Sequence, residues 1–323
     1  MIYLVTASKD AAVYELYPNR NTGVDEILTI SKAYTSVDAS DIARSFIQFD
    51  VSSLPSHVTA SSTVLHINNV HALNLPISFS LYVHPVTSSW NMGLGVWAGD
   101  TTTDGWITWN NQPGVDYTIS SSIYFDYDSL DETEVDIKSI YNYWTASDNY
   151  GLRISHTSSV ETSSLDYGYI KFYSKETNTY QQPFLKIQWD DQVYSTGSLS
   201  AVSSNELVIK SKELKSYYLV GKVNKVKLVA RDKYPVKTFA KTFTYLDVNA
   251  LPPNTYYSIV DVITKNRILP FSEYTKVSCD TSGNYVKFDS TNFPTHRPLR
   301  LEFMLERDGV NEYYQDDLTF MIK

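Results

Sequence analysis

The sequence predicts an all-β protein built from two consecutive β-sandwiches, and three observations predict it. Short apolar runs alternate with polar residues and are bounded by Gly, Asn, Asp and Ser along the 323 residues. Aromatic residues make up 14% of the chain, with 26 Tyr, whose ring suits a pleated, half-buried surface while its hydroxyl stays wet. One segment alone, Glu134–Trp144, has apolar residues at helical spacing.

Taken in order, the first clear strands are Ile27–Ser31 and Arg44–Asp50. In the second, Phe46, Ile47 and Phe49 place apolar groups on both faces, as in a strand buried inside a sandwich. Residues Asp50–Pro55 are expected to form a short turn or a one-turn helix, and Ser62–Val70 and Ser78–Pro85 are the next strands. Gly93–Gly105, rich in Gly, Thr and Asp, is too polar for an interior and is expected to be a long surface loop ending at Trp106–Trp109. Val135 and Ile137 fit a strand as well as a helix, so a strand leading into a shorter helix is the preferred reading of Glu134–Trp144. Asn149–Ser155, Tyr169–Ser174 and Pro183–Trp189 close the module, giving the strand count of a jelly roll over residues 1–190.

Residues 191–204 (DQVYSTGSLSAVSS), small and polar, are expected to be a linker. Beyond them, Glu206–Ile209, Lys225–Arg231, Thr238–Tyr245, Tyr256–Asp261, Tyr285–Phe288, Leu299–Leu305 and Leu318–Ile322 are strand-like. Seven short strands within residues 205–323 are the pattern of an immunoglobulin-like sandwich.

Composition removes several function classes. Cys279 is the only cysteine, so neither an intramolecular disulfide nor a cysteine-based metal cluster is available. No run reaches the ~20 apolar residues of a membrane helix, and Met1–Asp10 lacks a basic start followed by an apolar stretch, so neither membrane insertion nor a signal peptide is expected. Residues 1–190 hold 9 Lys/Arg against 21 Asp/Glu, which opposes nucleic-acid contact, while residues 191–323 hold 18 against 15. The histidines His57, His66, His71, His84, His156 and His296 show no zinc spacing. There is no nucleophile elbow, phosphate loop or dinucleotide fingerprint, and Cys279 has no basic neighbour to activate it, so no enzyme is expected.

Two kinds of candidate remain. The acidic run Asp126, Asp128, Asp131, Glu132, Glu134 and Asp136 has the hard oxygen donors of a structural calcium site, as more weakly do Asp100 and Asp104. A solvated acidic face explains the run more simply. Aromatic side chains stack on sugars and anchor interfaces. Trp97, between Val96 and Ala98 in the glycine-rich loop, is expected to be exposed, and with Tyr141 and Tyr143 forms the candidate ligand or interface set. Trp106, Trp109 and Trp144 are expected to be core plugs.

Residues 8–189 resemble the DNRLRE family, a sandwich module also grouped with carbohydrate-binding modules. The resemblance rests on Asp10–Tyr14, the Asn19–Gly23 turn and Arg44-Ser-Phe-Ile-Gln-Phe-Asp-Val-Ser-Ser-Leu-Pro55. It continues through Val86–Trp90, Thr108-Trp-Asn-Asn-Gln-Pro113 and Val135–Ile154 to the closing Tyr173–Ile187. It implies an adhesion, wall-associated or polysaccharide-binding appendage, with Trp90 and Trp109 structural. The patterns Val229–Phe239, Leu251–Ile259, Pro270–Tyr285 and Tyr313–Phe320 resemble a domain of tailed-phage structural proteins. That resemblance implies a tail, neck or capsid-surface component of a virion, made in the host cytoplasm and packed in symmetric copies with other virion proteins. The alternative expectation is a host-surface glycan-binding or adhesion protein.

Overall fold

A computed structural model of the chain describes residues 1–36, 39–54, 58–71, 75–99, 104–126, 133–202, 206–234 and 249–323. The chain divides into two compact units, Leu4–Ile187 and Met1–Tyr3 with Gln188–Lys323. Both are β-sandwiches, so the fold is almost entirely β.

The first unit is built from β1 (Ile2–Tyr14), β2 (Ile27–Ser36), β3 (Ala39–Phe49), β4 (Ser62–Ile67), β5 (Asn69–His71) and β6 (Phe79–Pro85). They are followed by β7 (Ser121–Phe125), β8 (Thr133–Asp136), α1 (Lys138–Ala146), β9 (Leu152–Ser155), α2 (Ser158–Glu161), β10 (Gly168–Tyr173) and β11 (Phe184–Gln188). The hydrogen-bonded order is β5-β10-β2-β3-β1-β11-β4-β8, with β9 joining β3 to the paired strands β6 and β7. β3 is the pivot. It pairs with β1 along Ala43–Phe49, with β2 along Ala39–Ala43 and with β9 along Ser45–Ile47. A strand bonded on both edges and covered on both faces must be apolar both ways, and Phe46, Ile47 and Phe49 are all buried.

The alternation of β6 and β7 sends Phe79, Leu81, Val83, Ile123 and Phe125 inward. The Phe125 ring lies 6.1 Å from that of the buried Phe172 in β10. The expected strand-then-helix around Val135 is present. Val135 is buried in β8, Asp136 Oδ1 accepts the Lys138 N–H at 2.8 Å, and α1 then buries Ile140, Tyr141 and Trp144. Two strands exceed expectation. β1 runs over thirteen residues between β3 and β11, with a register shift against β3 between Ala7 and Lys9. β7, with Tyr124 outward between Ile123 and Phe125, was hidden among serines.

In the second unit one sheet has the order β12 (Leu207–Lys212), β14 (Val223–Asp232), β18 (Gly283–Asp289), β17 (Ser278–Asp280). The other has the order β13 (Tyr217–Tyr218), β20 (Val310–Ile322), β19 (Leu299–Arg307), β15 (Thr255–Asp261), β16 (Arg267–Leu269). Phe288 from the first sheet packs on Phe320 from the second at 5.6 Å. The Tyr257 hydroxyl donates to Lys287 O across the same core. The short strands β13, β16 and β17 were not expected, and Thr238–Tyr245 lies outside the described residues. The segment read as a linker is held here: Cys279 N–H donates to Val193 O at 2.8 Å, Ser195 N–H to Cys279 O at 2.9 Å, and Tyr194 Oη to Leu251 O at 2.8 Å. Its backbone groups find sheet and loop partners that composition does not display.

Candidate functional site

The register of β10, β2 and β3 puts a polar row on one face of the first unit. Lys171 lies opposite Thr29, Tyr169 opposite Ser31, and Asp41 of β3 opposite Ala33. Directly opposed residues share a face, and the alternate positions Leu28, Ile30, Ile170 and Phe172 fill the core behind them. Above this row lies a cleft of about 560 Å³, with Tyr14, Asp25, Glu26 and Trp97 completing its walls.

Trp97 is where the sequence placed it, on the surface and 40% exposed, yet it is firmly held. Its ring lies 4.5 Å from that of Tyr14 and 5.0 Å from that of Tyr17, and the Arg20 guanidinium sits 4.8 Å from its centre. Its backbone N–H donates to both carboxylate oxygens of Asp25, at 2.9 and 3.0 Å. The loop carrying it is fastened by the fully buried Asn21. Asn21 Nδ2 donates to Met92 O at 2.7 Å and Ile107 O at 2.8 Å, while its Oδ1 accepts Gly95 N–H at 2.8 Å. The approach is so close that a Cβ on Gly95 would fall 2.4 Å from Asn21 O, which is why glycine stands there.

Burial governs the electrostatics. It raises the Asp25 carboxyl above the usual range, opposed by the Trp97 N–H, and it raises Asp41 in the same direction. Asp41 Oδ1 is buried and has no hydrogen-bond partner among the described residues. Tyr14 is pushed up to about 12, chiefly by burial; a hydrogen bond with Thr29 works against this, and the charges of Asp25 and Asp41 add to it. Lys171 Nζ lies 5.2 Å from the centre of the Tyr169 ring, which is 46% exposed. The cleft therefore combines aromatic walls, a hydroxyl-bearing floor and carboxylates that can accept hydrogen bonds.

The other candidates fall elsewhere. Tyr141 is a correction: it is only 5% exposed, on the buried side of α1, so it presents nothing to a ligand. Tyr143 is half-buried on the same helix and does not line the cleft. Of the expected core plugs, Trp144 is buried, whereas Trp106 and Trp109 are half-buried. Trp109 is half-covered because the Arg44 guanidinium stacks 4.4 Å above it while bonding both oxygens of Glu161. Trp90 is buried, and its Nε1–H donates to Tyr150 O at 2.8 Å.

In the acidic run, Asp128, Asp131 and Glu132 lie outside the described residues, as does Asp100. The remainder have structural partners: Asp126 accepts from Ser78 at 3.1 Å, Glu134 lies 3.3 Å from His66, and Asp136 starts α1. Among the described residues no three His, Cys, Asp or Glu converge as a metal site. Tyr14, Asp25, Asp41, Tyr169 and Lys171 were missed. The alternation Tyr169-Ile170-Lys171-Phe172 could have flagged an outward face, but not its neighbours.

A β-sandwich bearing such an aromatic, hydroxyl- and carboxylate-lined cleft is a carbohydrate-binding-module-like domain. The family model for carbohydrate-binding module family 96 matches residues 2–189, and the chain belongs to that family. No curated protein matches the chain.

Proposed function

We propose that the protein binds carbohydrate through the cleft on the β10–β2–β3 face, as a recognition or adhesion module. The observation that carries this is the pairing of Trp97 and Tyr169, both exposed, across a floor of Thr29 and Ser31 with Asp25 and Asp41 beside it. Aromatic faces stack on the C–H surfaces of a pyranose, and carboxylates and hydroxyls bond its hydroxyl groups. The cage of Tyr14, Tyr17 and Arg20 holds the Trp97 ring before a ligand arrives, which lowers the ordering cost of binding.

The test is binding of the full chain to a panel of immobilised polysaccharides, followed by titration calorimetry on the best. Trp97→Ala and Tyr169→Ala are each expected to weaken binding about tenfold or more, since aromatic anchors carry about 2 kcal/mol or more. Full affinity in both variants would move the site elsewhere.

Assembly into a tailed-phage particle, with an immunoglobulin-like second unit docking the protein, is a compatible setting. It rests on the pattern of residues 229–320, whereas the family match supports the binding role. Mass spectrometry of purified particles tests it; a particle lacking the chain ends it.

A further inference from the structure

We infer that the second unit carries a docking face for the acidic first unit of another copy of this chain, so that copies join head to tail; this stands independently of the carbohydrate-binding reading. The face is the outer side of the β12–β14–β18 sheet. Lys212 of β12 lies directly opposite Lys227 of β14, and Lys225 of β14 directly opposite Lys287 of β18. Directly opposed residues share a side, and the alternate positions Val226, Leu228, Val286 and Phe288 are buried in the core behind them. Lys212, Lys225 and Lys227 are exposed, and Lys287 is half-buried. Like charges placed directly opposite destabilise a sheet, and this sheet carries two such pairs. Of the four lysines, Lys225 is paired with Asp280 at 3.1 Å; among the described residues the other three have no carboxylate within salt-bridge distance. A partner that brings carboxylates to the face offsets the repulsion.

The chain itself supplies that partner. Residues 1–190 hold 9 Lys/Arg against 21 Asp/Glu, and Asp136, Asp148 and Asp166 stand exposed on the first unit. The whole chain carries a net charge of −9, so two copies repel at long range. At about 0.1 M salt, where the Debye length is about 10 Å, that repulsion is screened while pairs in contact persist. Face and partner are different surfaces, so each docked copy leaves one of each free. The contact therefore repeats, into an open chain or a closed ring.

The test is sedimentation velocity of the full chain over a wide concentration series at about 0.1 M salt and at about 1 M, where the Debye length is about 3 Å. The expected result is a mass that rises with concentration at the lower salt and returns to that of a single chain at the higher. Lys212→Glu combined with Lys287→Glu turns each like pair into an opposite pair, so the melting temperature is expected to hold or rise. Association is expected to weaken about tenfold or more in the same variant. Added in excess to the wild-type chain, the variant still offers its acidic unit and is expected to shorten the assemblies by capping them. A single chain at every concentration, assemblies that survive the higher salt or the double substitution, or no shortening on mixing overturns the inference. So does a wild-type chain that stays single yet binds inorganic polyphosphate through these lysines, since the face then serves a different polyanion.

Discussion

Asn21 and Asp10 show how much single buried polar groups decide in this molecule. Asn21 joins the turn after β1 to the loop bearing Trp97, and Asn21→Ala leaves the carbonyls of Met92 and Ile107 without their donors. Each orphaned buried group costs about 1–3 kcal/mol, so a loss of several kcal/mol in denaturant titrations is expected, together with weakened glycan binding. Asp10 is buried and pushed up to about 7 by burial, against the pull of the Lys175 N–H that it accepts. Because its folded pKa lies above the ordinary 3.8, the folded state holds the proton more tightly, and its contribution falls as pH rises from about 4 to about 7. The melting temperature should drop across that window, and Asp10→Asn should flatten the drop; an unchanged profile in the variant would assign it to other groups. Tyr141→Ala removes a buried ring from α1 and should cost about 3–5 kcal/mol.

The elements divide into those that build the core and those that present the cleft. α1 belongs to the first kind, so Tyr143→Ala is expected to leave glycan affinity unchanged in calorimetry. The 91–99 loop belongs to the second. Gly95→Ala would force its Cβ against Asn21 O and displace the loop. The expected outcome is weaker binding with the Trp97 side chain itself intact, read as a shifted tryptophan emission maximum. β10 and β2 serve both ends: one face of each fills the core, the other forms the cleft floor and wall.

The whole molecule has two compact units, each with its own aromatic core. A ligand stabilises only the state that binds it. Saturating glycan is therefore expected to raise the calorimetric transition of the Leu4–Ile187 unit and leave that of the Gln188–Lys323 unit in place. A uniform shift of both would require one cooperative unit.

The all-β class, the strand-then-helix at Val135, the buried β3 and the exposure of Trp97 were legible in the sequence, because each depends on local alternation, spacing or composition. The family signature at Arg44–Pro55 and Thr108–Pro113 is legible for the same reason: it is a linear pattern. The cleft was not. Tyr14, Asp25, Asp41, Tyr169 and Lys171 come together only through the register of β2 on β3 and of β10 on β2, the second of which pairs residues more than a hundred positions apart. The burial of Tyr141 was equally out of reach, since neighbours on one helix share a composition and differ only in which side meets a sheet. Local alternation determined what kinds of surface this chain can make; the pairing and register of its strands decided which residues share one.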